Sequence, residues 1–456
     1  MSASTRTSGS IIIAPLVCGA LLGLMCFQLP GREGPETVGA VDTVALLKMA
    51  VRLGTSLLLL GVLCANWQHP RRPLVVATLA PLGLFVLWAI SSASWSALKT
   101  VSLGQVLGLL DLYLIAATIA LLWRGPQDTS RILCVLVCST FVFSSILVVA
   151  DTVSHDISGL NREDWSDVEG STGIVHPTTA GATASIGLAL LLGCWLHGGW
   201  RWPRVMLVPG VIIYVTMLTL AASRTAMAMA AVTSVLFFLT RARPAAIAAA
   251  VLSAAVLGTI VLLVDPGFSL FEAIEAKVAE KLSRGESAES LHSLTGRTDL
   301  WDAIWNSYYD SPIIGHGYFV TSRIGEIDVW SGPANRTAHN TLLQVLVTTG
   351  AIGLLLFIVG LAWPIALAVK SYARKRLDDD GRRLFPKELA SLLVIIALWY
   401  VGWGQLSESF MGPINPESVV FFSLLGIMIA QIDPALVTRP ARRRAMARVE
   451  YAGGRA

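Results

Sequence analysis

The chain has 456 residues, 54% of them hydrophobic and only 14% charged, with a net charge of +4. A soluble domain carries roughly a quarter charged residues, so a mean hydropathy of +0.66 excludes water as the main solvent. The basic residues lack interleaved aromatics and follow membrane topology instead, which removes nucleic acid as a partner.

Apolar runs long enough to cross a hydrocarbon core about 30 Å thick recur throughout the chain. They predict spans at 11–29, 43–65, 74–95, 101–123, 131–150, 177–196, 205–222, 225–240, 245–264, 342–369, 388–406 and 418–432. Segments of about ten residues with alternating polarity, the mark of a membrane barrel, are not seen. The first run has no small-residue cleavage site after it and is taken as a span rather than a signal peptide. All six cysteines fall in or beside apolar runs, which predicts neither a disulfide framework nor a cysteine metal site.

The intervals between spans alternate in basic content. Arg71 and Arg72, Arg124 and Arg131, Arg201 and Arg204, Arg241 and Arg243, the cluster Lys370–Lys387, and the tail from Arg439 fall on one side. The other side has single basic residues in its short loops: Arg32, Lys99, Arg162 and Arg224. The positive-inside rule then makes both termini cytoplasmic and the long polar interval before the tenth span outward-facing, in a multi-pass protein of a bacterial inner membrane. The expected fold is all-α: a polytopic membrane helix bundle of about twelve spans with a large helical periplasmic loop. The expected division is 1–264 for spans one to nine, 265–338 for the large loop, 339–432 for the last three spans and 433–456 for a basic cytoplasmic tail.

Along the chain, polar residues stand out against this background. Lys48 and Arg52 share a face of the second span and either extend a cationic site or snorkel. Asp111 in the fourth span is expected to pair inside the bundle. The acidic interval 151–175 leads to His176-Pro177 at the start of the sixth span, where helix-entry packing is as good an account as chemistry. Arg224, in the tight reversal Ser223-Arg224-Thr225, sits at the rim, where it either snorkels or faces a polar cavity. In the large loop, Phe271–Leu282 reads as an amphipathic helix. A second follows, with Leu300, Trp301, Ile304, Trp305 and Tyr308 on one face and Pro312 beyond its end. Arg297 opens that second helix, a suitable place for phosphate, or else pairs locally with Asp299. His339, followed by Asn340 at the start of the tenth span, can take a proton near neutral pH, or can be a packed, helix-capping side chain. Asp378-Asp379-Asp380 is a solvated cluster among basic residues, and neither a phosphate loop nor H-E-x-x-H occurs.

Together, two fixed cations and one histidine at the outer rim suit a lipid diphosphate as leaving group and an attacking hydroxyl, with no metal or cofactor required. The ordered set Ser223-Arg224-Thr225, Gly296-Arg297-x-x-x-Trp301, Pro312-x-x-Gly315-x-Gly317, then His339-Asn340 followed by Gly350-x-x-Gly353, resembles the O-antigen ligase family, which includes exopolysaccharide polymerases. Trp95-Ser96 and Gly173-Ile174-Val175-His176-Pro177 fit the pattern less closely, and Thr178 stands where many relatives have Asn.

The resemblance implies a membrane glycosyltransferase moving a glycan from undecaprenyl diphosphate to an acceptor hydroxyl in the periplasm. That acceptor is a glycan or a lipid A core sugar, in O-antigen ligation or in polymerisation of a surface lipopolysaccharide or exopolysaccharide. It implies His339 as the catalytic residue and Arg224 and Arg297 as contacts to the donor diphosphate. His316, Asn340 and Arg52 complete the expected substrate-binding set, and His316 is the second candidate for the base. Membrane lipid and a chain-length regulator are the remaining expected partners. The rival readings are a flippase for lipid-linked oligosaccharide, which predicts broken helices and ionisable residues at the midplane, and a protein O-glycosyltransferase.

Overall fold

The computed structural model describes residues 12–24, 26–27, 43–154, 160, 174–197, 200–241, 297–325, 327–329, 332–333, 337–374, 387–407 and 414–437. The predicted span at 245–264, the amphipathic stretch Phe271–Leu282, the acidic run at 378–380 and the tail beyond Val437 lie outside them, as does most of the acidic interval 151–175.

Twelve helices are described: α1 (Ile13–Leu24), α2 (Thr43–Ala65), α3 (Arg72–Ser92), α4 (Lys99–Leu122), α5 (Pro126–Val153), α6 (Pro177–His197), α7 (Trp202–Ala221), α8 (Arg224–Arg241), α9 (Arg297–Asp310), α10 (Thr341–Ala373), α11 (Lys387–Gly404) and α12 (Pro416–Ala430). Among the described residues, strand is confined to a two-residue antiparallel pairing of Asp328–Val329 with Gly332–Pro333. Each predicted span other than 245–264 coincides with one helix, and α9 is the aromatic helix of the loop. Seven of the helices (α2 to α7 and α10) are long and apolar enough to cross a membrane, and α1, α8, α11 and α12 are shorter apolar helices. The protein is a polytopic helical membrane protein.

Proline punctuates these helices. Pro73, Pro126, Pro203 and Pro416 fall in the first two positions of their helices, and Pro177 opens α6. A missing N–H costs nothing there, and the fixed φ suits the first turn. The centre of the bundle is α6, whose spanning window is 83% buried, against 22% for the lipid-facing α2. Its run of Ala180, Gly181, Ala182, Thr183, Ala184 and Ser185 lets neighbouring backbones approach closely. Trp399 of α11 donates to Ser185 Oγ at 2.8 Å, and Tyr214 of α7 is within 2.8 Å of Thr140 Oγ1 of α5.

One end of the bundle is basic. There Arg71 donates to the carbonyl of Ala430 at 2.9 Å and lies over the Trp123 ring, and Arg374 pairs with Asp433 at 3.2 Å. The candidate site lies at the opposite end, as the alternation of basic loops predicts.

The sequence predicts the tenth span over 342–369, and α10 is interrupted within it. Gly350 has φ +69° and ψ −176°, which no helix contains. The loop after α9 is sewn into the gap by four backbone hydrogen bonds. His316 and Gly317 donate their N–H groups to the carbonyls of Val347 and Thr348 at 3.2 and 2.9 Å. Ala351 and Ile352 donate to the carbonyls of Pro312 and Ile313 at 2.9 and 3.3 Å. The Trp88 indole adds a bond to the Thr349 carbonyl at 2.9 Å. In a membrane protein an unpaired backbone group costs several kcal/mol, so a break at this position requires such a filler. Two glycines make it possible. A Cβ on Gly350 would strike the Ile313 carbonyl, and one on Gly315 (φ +68°) would strike that of Thr348. The Pro312-x-x-Gly315 and Gly350 motifs are therefore a joint between loop and helix.

Candidate active site at one end of the bundle

The first turn of α10 carries His339 at its mouth, and the flanking residues hold it from both sides. Ala338 is fully buried; its N–H donates to Gln344 Oε1 at 2.6 Å, and its carbonyl accepts from the Trp301 indole at 2.9 Å. On the other side, Asn340 Oδ1 caps the helix by accepting from the Leu343 N–H at 3.0 Å. Its Nδ2 donates to the Gln405 carbonyl at 3.1 Å, and Thr341 Oγ1 donates to the Ser407 carbonyl at 2.8 Å. Between these anchors His339 adopts φ +46°, and its side chain is half-buried. A left-handed non-glycine residue is sparsely populated and costs on the order of 1–2 kcal/mol, although histidine is among the types that tolerate it. Fixed, strained residues of this kind collect at active sites.

Arg224 reaches the same end of the bundle from α8. The reversal before it is tight because Ala222 also turns left-handed, at φ +44°. Ser223 packs so closely on α6 that a Cβ at Gly181 would lie 2.8 Å from its own. One turn and a half into α8, Met229 packs on Gly402 of α11. Because α10 is anchored at Gln405 and Ser407, directly after α11, Arg224 and His339 stand on helices fastened to a common partner. His176, just before α6, is exposed and accepts from the Thr178 N–H at 3.2 Å.

Helix α9 is clamped to this group. Leu300 and Ile304 are fully buried in a small core with Ala338, Leu343 and Val347. Because Trp301 is bonded to Ala338, the helix start at Arg297, one turn earlier, is brought to the His339 region. The side chain of Arg297 lies outside the described residues.

The structure gives three of the expected substrate-binding residues other employment. His316 is buried; its Nε2 lies 2.8 Å from the Ser307 carbonyl and 3.2 Å from Ser307 Oγ, which itself donates to the Thr321 carbonyl at 2.6 Å. It is a strut between α9 and the inserted loop. Asn340 is the cap just described. Arg52 is 6% exposed, donates to the Gly104 carbonyl and reaches Gln105 Oε1 at 3.5 Å. Its charge also faces Tyr318 of the loop, opposing the upward push of burial on that phenol's pKa. Asp111, expected to pair inside the bundle, accepts from Thr55 and Ser56 at 3.0 and 2.6 Å.

Several contributors went unmarked in the sequence. Gln344 and Thr341 position the mouth residues, Trp88 ties α3 to the Thr349 carbonyl at the break, and Ser92 holds the loop, its Oγ accepting from the Tyr318 N–H at 2.8 Å. Polar residues inside an apolar run were the available signal.

Fold and site define a multi-spanning membrane protein with an arginine and an imidazole at the rim opposite its basic end. The family model described as O-antigen ligase matches residues 209–358, a stretch containing Arg224, Arg297, His316, His339 and Asn340. That match agrees with the resemblance carried by the motifs. Comparison with curated proteins gives no match.

Proposed function

We propose that this protein is a glycosyltransferase of the bacterial inner membrane that moves a glycan from undecaprenyl diphosphate to an acceptor hydroxyl on the periplasmic side. The observation that supports this most is the fastening of Arg224, His339 and the start of α9 to one end of the bundle, within the segment matched by the ligase family. Arg224 and Arg297 hold the donor diphosphate and stabilise the charge that grows on it as it leaves. His339 accepts the proton of the attacking hydroxyl as the new glycosidic bond forms at the anomeric carbon. The bond from that carbon to the diphosphate oxygen breaks, and the lipid diphosphate departs with the electron pair. The cations supply charge stabilisation that a metal ion would otherwise provide, so the reaction is metal-independent. The acceptor is a second lipid-linked glycan or a lipid A core sugar.

The test is transfer in liposomes from a lipid-diphosphate-linked glycan, with chelator present and ATP omitted, following release of the lipid diphosphate. Wild type forms a glycosidic bond, and Arg224→Ala, Arg297→Ala and His339→Ala lose it. A longer lipid-linked product marks a polymerase, and a capped core acceptor marks a ligase. Movement of intact lipid across the bilayer with no bond formed would replace transfer by transport.

A further inference from the structure

The chemistry above occupies one end of the bundle and leaves unused a crevice of about 330 Å³ between α1, α5 and α12. Its walls are hydrocarbon and small residues, chiefly Gly19, Ala20 and Gly23 of α1, Val142 and Phe143 of α5 and Val419 of α12. The helices beside it turn Val17, Leu21, Ile146 and Val149 outward, so its open side adjoins the lipid-facing surface of the bundle. A concave apolar slot in a bilayer forfeits dispersion contacts unless a chain lies along it. From Pro15 to Leu24 the slot follows α1 for about 14 Å at 1.5 Å per residue.

The direction of the slot names its occupant. Its upper end is Pro416, the first residue of α12. Two residues earlier, the buried Ile414 packs over Gly108 of α4, beside which the Arg52 guanidinium lies. The slot therefore climbs from the middle of the bundle toward the end that carries the candidate site. We propose that it holds the first part of the donor's polyprenyl chain, so that the tail sets the position of the diphosphate. This assignment rests on the glycosyl-transfer reading.

Gly23 offers a direct test, because a Cβ built there meets nothing within 4 Å and a larger side chain can enter the slot freely. The same glycan is supplied on a long polyprenyl diphosphate and on a short, water-soluble prenyl diphosphate. In Gly23→Phe, KM for the long-chain donor rises about tenfold, while short-chain turnover stays at the wild-type level. Equal loss on both donors, or no loss on either, overturns the assignment. A polyprenyl diphosphate with a photoreactive group in its proximal isoprene units gives a second readout without any variant. Crosslinks to peptides covering 15–24 and 135–146, competed by unlabelled polyprenyl diphosphate and not by phosphatidylglycerol, support it. Competition by phosphatidylglycerol assigns the slot to ordinary lipid and overturns it. If wild type transfers glycan from neither donor, the glycosyl-transfer reading itself falls, which is a different outcome from a change in chain-length preference.

Discussion

The mouth of α10 and the break in α10 lie about ten residues apart, and both are built from residues of one motif pattern, yet they use those residues in opposite ways. At the break, residues 312–317 and 347–352 pair through backbone groups, and at Gly315, Gly317 and Gly350 a side chain is excluded by contact. At the mouth, the backbone of His339 is fixed by its neighbours so that an imidazole stands at the rim, on a helix fastened, like the one that begins with Arg224, to α11. A shared motif thus divides into a joint that needs shape and a rim that supplies chemistry.

Substitution separates the two. The largest effect is expected at the rim: Arg224→Ala and His339→Ala lower kcat by about 10²–10³, the usual loss for a charge-stabilising or proton-transferring group, with an unchanged melting temperature in detergent. A melting temperature that fell in step with activity would make the rim structural and erase the contrast. Next is Gly350→Val, where left-handed backbone and a blocked Cβ together cost more than about 3 kcal/mol; it is read as lost folded protein in membranes and early thermal unfolding. Normal yield of an active Gly350→Val would show that the break is dispensable.

His316 sharpens the comparison, since sequence alone ranks it second to His339 as a base. As a strut to Ser307 it contributes roughly 1–3 kcal/mol through a buried bond, so His316→Ala lowers the melting temperature while transfer falls less than tenfold. Activity abolished at unchanged stability would move His316 to the rim group. The smallest effect belongs to Asn340. Its cap is worth about 1 kcal/mol; Asn340→Ala loses that, and Asn340→Asp, which keeps the accepting oxygen, restores most of it on chemical denaturation.

Much of the fold was legible because a bilayer imposes length and polarity on each span. The buried face of α9 was legible too, since Leu300 and Ile304 repeat at helical spacing. The break at Gly350 was hidden because the apolar run continues through it and the donors that fill it come from more than thirty residues upstream. Asn340 stands directly before a helix, the place of a cap, but the Gln405 carbonyl that its amide reaches lies more than sixty residues away in the sequence. For Arg52 the sequence shows the charge, which either extends the cationic site or snorkels, and not the Gly104 carbonyl that accepts from it. The pairing of His316 with Ser307 depends on how the chain reverses at Pro312, which no local pattern encodes.

The joint at Gly350 also governs how the protein can be assembled. A spanning helix usually completes its own ladder and can enter the bilayer as an independent unit. Here the ladder of α10 is closed by residues 312–317, which leave the ribosome before it does. Docking of that loop therefore completes α10, and a chain cut between them must reunite its halves before either is complete.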